Sequence, residues 1–176
     1  MRCKLPTHYC FWLLPITLAS HFAAAGTPGK CSSIPTCQPV QYCPMVGTPG
    51  DCTVSVQRSG SSGVTMMVNG QPTNLFCITS GTAIHWSLAD SSVSFADMRF
   101  DPSATPFSKS SLVADANNDV GEAPSATTQS CYNFTITDCP VVSGSCGRAD
   151  PKVVVNPPGF NKPNAQGKAT PPKSQP

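Results

Sequence analysis

Between residues 51 and 156 apolar and polar side chains alternate over short stretches, and turn residues separate the stretches. Cys52-Thr53-Val54-Ser55-Val56-Gln57 alternates with period two. Val64 to Val68 is apolar and ends at Asn69-Gly70, a turn signal. Leu75-Phe76-Cys77-Ile78-Thr79 runs to Ser80-Gly81. Ile84, Trp86 and Leu88 share one face of the next run, with His85 on the other. Val93-Ser94-Phe95 and Met98-Arg99-Phe100 follow, closed by Asp101-Pro102. Tyr132-Asn133-Phe134-Thr135-Ile136-Thr137 is the clearest strand, with Tyr132, Phe134 and Ile136 inward. Lys152 to Val155 is the last, stopped by Asn156-Pro157. No stretch has helical period. The pattern predicts an all-β fold, an antiparallel sandwich or barrel, and of these a small antiparallel immunoglobulin-like sandwich of about six or seven strands is expected.

The same parity places cysteines. If Tyr132, Phe134 and Ile136 face inward, Cys131 and Cys139 point to the other face. Phe76 and Ile78 leave Cys77 opposite them in the same way. A Cys-rich segment at 26–50 is therefore expected to be stapled over the outer face of the sandwich.

Proline density divides the chain. Residues 26–50 carry five prolines, 51–156 carry six, and 157–176 carry six in a far shorter span. The last zone has one aromatic, Phe160, and almost nothing else to bury. It is expected to be a disordered, Pro/Lys-rich tail. Residues 1–25 have Arg2 and Lys4, an apolar run from Phe11 to Ala19, and Ala23-Ala24-Ala25 before Gly26. That order is a secretory signal peptide, with cleavage expected after Ala25. The run is too short for a spanning helix, which needs roughly 20 apolar residues, and no later stretch is apolar enough for an integral membrane segment. The chain is expected to be secreted or periplasmic.

Charge and cysteine content follow from that division. The chain has 11 basic and 9 acidic residues. Loss of Arg2 and Lys4 leaves it formally neutral, with the acids concentrated in 51–156 and Lys162, Lys168 and Lys173 in the tail. A neutral chain with an acidic centre has no electrostatic footprint for nucleic acid. Eight cysteines remain: Cys31, Cys37, Cys43, Cys52, Cys77, Cys131, Cys139 and Cys146. An even number in an exported chain predicts disulfides. Their spacing has no Cys-x2-Cys pair, which disfavours zinc and thioredoxin-like redox chemistry. Cys139 and Cys146 bracket a turn-rich loop and would close a short hairpin. Cys77 and Cys131 are candidates to join two distant strands. Cys31, Cys37, Cys43 and Cys52 lie where only bridges can hold the chain.

From Ile84-His85-Trp86-Ser87-Leu88 through Tyr132-Asn133-Phe134-Thr135-Ile136-Thr137 to Asp150-Pro151-Lys152-Val153-Val154-Val155-Asn156, the chain resembles small exported β-sandwich domains of uncharacterised bacterial proteins. The likeness implies fold and compartment and carries no activity. A true immunoglobulin domain fits less well: Cys77, Trp86 and Cys131 stand in the right order, but no Tyr precedes Cys131 by two residues.

Candidate chemistry is sparse. Asp115, Asn117 and Asp119 alternate on one loop, as calcium ligands do. An EF-hand is excluded, because Val120 stands where Gly is needed and Ala126 where Glu is needed. The competing reading is a loop whose Asx side chains bond their own backbone. There is no Gly-x-Ser-x-Gly, phosphate-binding loop or dinucleotide fingerprint, and no cofactor is expected. His85 is the one histidine after residue 25 and is expected on a solvent-facing surface. Asp90, Asp97 and Asp101 are close in sequence and are the carboxylates a glycosidase could use. Asn133-Phe134-Thr135 is a glycosylation sequon inside a strand. The expectation is an exported, non-enzymatic structural or binding module, its partner a protein or glycan. The alternatives are a small carboxylate-based hydrolase and a calcium-dependent adhesion domain.

Overall fold

The computed structural model describes residues 27–45, 50–60, 63–116, 120–142 and 144–160. The signal peptide expected at 1–25 and the tail beyond Phe160 lie outside the described residues. Among the described residues there is no α-helix; strands and one 3-10 turn at Pro39–Gln41 make up the regular structure. The smaller sheet holds β1 (Gly29–Lys30), β2 (Tyr42–Cys43), β6 (Leu75–Thr79), β11 (Ser130–Asn133) and β14 (Lys152–Asn156), in the spatial order β1–β11–β14–β6–β2. The larger holds β3 (Cys52–Ser59), β4 (Gly63–Val68), β7 (Ile84–Leu88), β8 (Val93–Arg99), β9 (Ser111–Asp115), β10 (Val120–Glu122), β12 (Thr135–Pro140) and β13 (Gly147–Ala149). Their order is β10–β7–β3–β4–β13–β12–β8–β9, with β5 (Gln71–Thr73) bonded to β4.

The chain is all-β, and two features differ from the purely antiparallel pattern. First, both sheets are mixed: β2–β6, β6–β14, β3–β7 and β4–β13 run parallel. The strands are also shorter and more numerous than six or seven. The larger sheet curls until β9 comes against β7 and β10, which makes it nearly a barrel. Second, the run expected to be one strand at 132–137 serves both sheets. Its first part is β11 and its second is β12, with Phe134 at the changeover. Alternation cannot reveal this, because the inward parity of Tyr132, Phe134 and Ile136 survives the corner.

Between the sheets lies the main core. Cys52, Val54 and Val56 of β3, Ile84 and Trp86 of β7, and Phe76 and Ile78 of β6 are fully covered. Trp86 meets Phe76 and Phe134 edge-on at 6.0 and 5.7 Å, and Phe134 stacks on Phe100 at 4.7 Å. Such pairs add about 0.5–1.5 kcal/mol beyond the area they bury.

A second, smaller core sits on the outer face of the smaller sheet. Cys77, Cys131 and Val154 meet Cys37 and Tyr42 there, with Phe160 packed against them. The strap at 31–43 is pinned over this face by Cys31–Cys131 and Cys37–Cys77. Cys43–Cys52 ties β2 to β3 across the main core, and Cys139–Cys146 closes the loop after β12. Four disulfides are consistent with an oxidising, extracellular environment.

The expectation that Cys77 and Cys131 join each other is corrected. Val154 of β14 pairs with Cys131 on one side and Cys77 on the other. The two cysteines are thus two strand spacings apart, about 9.5 Å, on one face. A disulfide needs Cα atoms within roughly 7 Å, so each takes a partner from the strap above.

Candidate functional site

Four neighbouring strands of the larger sheet, β9–β8–β12–β13, turn one face to solvent. Register sets three rows across it. Ser111, Arg99 and Thr135 form the first. Val113, Asp97, Thr137 and Arg148 form the second. Asp115, Phe95 and Cys139 form the third. The alternate residues Ala96, Met98 and Ile136 face the core and are fully buried.

Phe95 is on this face because of a bulge. Cys139 pairs with Phe95, but the next residue, Pro140, pairs with Val93, so Ser94 is the extra residue in β8. Pro140 has no N–H to continue the ladder, which is why the register breaks there. The Ser94 hydroxyl donates to the Cys139 carbonyl at 2.9 Å and holds the bulge. Val93 is buried, and strict alternation would bury Phe95 beside it. The inserted residue instead re-aims the ring outward, leaving it 36% exposed.

Besides Asp115 at its rim, the charged groups on the face come as two carboxylate–guanidinium pairs. Asp97 accepts from the Ser111 hydroxyl at 2.8 Å and from Nε of Arg99. Oδ1 of Asp150 accepts from the Thr135 hydroxyl at 2.8 Å and from Nε and Nη2 of Arg148 at 3.3 and 3.1 Å. Arg148 Nη2 also donates to the Thr135 oxygen at 3.3 Å. The carboxylates therefore act as splints that orient the arginines. Arg99 remains 70% and Arg148 52% exposed along the side chain. Both terminal nitrogens of Arg99, Nη1 of Arg148 and the Thr137 hydroxyl have no hydrogen bond among the described residues. All three side chains line an open concavity of about 480 Å³, together with Pro28, Phe95, Asp97 and Thr135.

A second concavity, of about 440 Å³, lies between the strap and β4–β5. Val40, Met45, Val68 and Pro72 line it together with Gln38 and Gln41. It has no charged side chain.

The residues singled out by sequence are scattered. Asp115 ends β9 at the rim of the β9–β8–β12–β13 face, while Asn117 and Asp119 lie outside the described residues. Asp90 precedes β8 and Asp101 follows it. Seven residues of strand separate these two by roughly 20 Å or more, so the carboxylates that looked clustered share no site. Asp90 accepts from the Ser92 amide at 2.7 Å, and Asp101 from the Ser103 amide and hydroxyl at 2.8 and 2.6 Å. In Asp90 the Ser92 hydrogen bonds hold the carboxyl below the ordinary carboxylate range. The Ser103 bonds do the same to Asp101. His85 faces solvent at 3.3 Å from Asp51. All eight cysteines among the described residues are in disulfides. Among the described residues no group of His, Cys, Asp and Glu is placed to hold a metal ion, and no helix is long and apolar enough to cross a membrane.

Phe95, Arg99 and Arg148 were not legible as a site in the sequence. One local signal was present: Pro140 inside a strand marks a bulge. It does not say which partner strand takes the extra residue.

Comparison with protein-family models, with curated proteins and with solved structures finds no match to this chain.

Proposed function

We propose that this chain is an exported, non-enzymatic binding module, secreted or periplasmic after cleavage at Ala25, and that the β9–β8–β12–β13 face is its binding surface. In this reading the two packed layers are those of a small exported β-sandwich domain. The observation that carries it is Phe95, turned out of the core by the Ser94 bulge to lie beside two splinted arginines. Bulges recur where a side chain is re-aimed for function, and an aromatic ring among a few oriented polar groups is the usual composition of a ligand site. The disulfides make the scaffold rigid, so little ordering cost falls on binding.

The hydrolase alternative is less well supported. A glycosidase needs one carboxyl kept protonated by a raised pKa. Asp90 and Asp101 are both shifted the other way, and Asp97 is spent on Ser111 and Arg99.

Retention of the purified, oxidised chain on native envelope and extracellular material tests the proposal. Wild type is retained, and F95A, with an unchanged unfolding midpoint, is not. Equal retention of both proteins would remove the face from consideration. Turnover in a hydrolase substrate panel, abolished by an Asp→Asn change, would replace the reading with the enzymatic one.

A further inference from the structure

We infer that the ligand of this face is an anionic polysaccharide, one bearing carboxylate or sulfate groups. This rests on the proposed function and adds the ligand's chemistry. Three observations lead to it.

The first is the balance of hydrogen-bonding capacity. Asp97 is almost covered, with both oxygens engaged, and Asp150 already accepts from Arg148 and Thr135. Asp97 and Thr135 line the concavity with their hydrogen bonds already made, and beside them Nη1 and Nη2 of Arg99, Nη1 of Arg148 and the Thr137 hydroxyl are left to donate. Planar guanidinium edges match carboxylate and sulfate oxygens. A ligand that fits must supply acceptors, and charged acceptors make the stronger bonds.

The second is the location within the sheet. β8 and β12 are interior strands whose backbone groups are used by β9, β12, β8 and β13. An extended peptide binds mostly by adding a strand to a free edge through main-chain hydrogen bonds. β8 and β12 offer none, and the sheet's edge strand β9 carries neither arginine nor the ring, so the ligand at Phe95, Arg99 and Arg148 is read by side chains.

The third is the ring. Phe95 presents an apolar surface in the concavity that Arg99 and Arg148 also line, one row beyond Asp97 on β8. A sugar offers an apolar C–H face and polar edges together, which suits a ring flanked by donors. Arg99 and Arg148 stand on strands separated by β12 and offset by one row, on the order of 12 Å between Cα atoms. A polymer with repeated charged groups can engage both at once.

Affinity of the full oxidised chain for four probes tests this: polygalacturonate, dextran sulfate, neutral dextran and poly-glutamate. At least one of the anionic polysaccharides is expected to bind about tenfold or more tightly than dextran, with F95A and R148Q each weakening that binding by about tenfold. Q71A, on edge strand β5, leaves it unchanged. Preference for polygalacturonate or dextran sulfate separates carboxylate from sulfate. Should F95A or R148Q fail to fold, T137V removes one solvent-facing hydroxyl and is expected to weaken binding several-fold. Binding to dextran equal to that of both anionic polymers would overturn the inference, as would poly-glutamate binding as tightly as either. So would F95A, R148Q and T137V variants that bind like wild type. If F95A still abolishes retention on native material while both anionic polysaccharides fail to bind, the binding module stands and its glycan ligand falls.

Discussion

Arg58 Nη1 donates to Asp138 Oδ1 at 3.1 Å, joining β3 to β12 across β4 and β13 at a point where the Asp138 side chain is fully buried and the arginine nearly so. The same oxygen accepts from the Gly147 amide at 2.9 Å, and Arg58 Nη2 donates to the Ser145 carbonyl at 2.6 Å. One guanidinium thus secures both ends of the Cys139–Cys146 loop.

Removing the arginine leaves a buried carboxylate without its counter-charge. Breaking such a pair from one side costs about 3–5 kcal/mol, far more than an exposed pair is worth. R58M is expected to lower the free energy of unfolding by that amount in urea. D138N, which keeps a carbonyl for the Gly147 amide, is expected to cost less. Equal, sub-kilocalorie losses in both would mean that water reaches the pair.

The four bridges should contribute unequally. Cys31–Cys131 spans 100 residues of sequence and Cys139–Cys146 spans 7. Loop-closure entropy assigns about 4–5 kcal/mol to the first and about 2–3 kcal/mol to the second. The double serine variant at 31 and 131 also unmoors the strap over Val154 and Tyr42, so it should expose apolar surface to a hydrophobic dye. The variant at 139 and 146 should not. Denaturant midpoints and dye binding on the two variants check both statements.

Phe95 and Phe134 offer an internal contrast. Phe134 is 1% exposed and packs on Trp86 and Phe100. F134A is expected to cost about 3–5 kcal/mol, as large core truncations do. F95A should shift stability by no more than about 1 kcal/mol, because the ring leaves the core at the bulge. Unfolding curves of the two variants measure this. A large cost for F95A would make its ring structural and weaken its use as a ligand contact.

Two carboxylates should titrate late as acid is added. Ser92 hydrogen bonds depress Asp90, and Ser103 bonds depress Asp101. A carboxyl whose folded pKa lies below its unfolded value stabilises the fold above the unfolded pKa. That contribution is lost as pH falls through the folded pKa. The window therefore lies below about pH 4, and neutral-pH stability is insensitive to it. Carboxyl-carbon NMR titration should place both groups below the ordinary range. S103A, which removes one of the two bonds to Asp101, should move that group back upward and leave Asp90 where it is.

Much of the strand content was legible before the structure. Period-two runs at 52–57 and 84–88 became β3 and β7, the valine run at 152–155 became β14, and parity put Cys77 and Cys131 on the face opposite Phe76 and Tyr132. Parallel pairing was not legible, because a strand's own alternation is the same whichever way its neighbour runs. The changeover at Phe134 was hidden for a similar reason. Cys77 and Cys131 were matched wrongly because nothing local tells that Val154 stands between them.

The sequence by itself determined an all-β chain with a proline-marked core region, an inward parity for its strands and an even set of cysteines. These are properties of consecutive residues, and chemistry along the chain is enough to decide them. Tertiary structure decided which cysteines meet, which strands are neighbours, and that Phe95 faces out. Those depend on register between segments far apart in sequence. A single inserted residue opposite Pro140 flips every side chain beyond it to the other face. That flip sets Phe95 on the face away from buried Val93, and ordinary alternation with Ala96 and Met98 keeps it on the same face as Arg99.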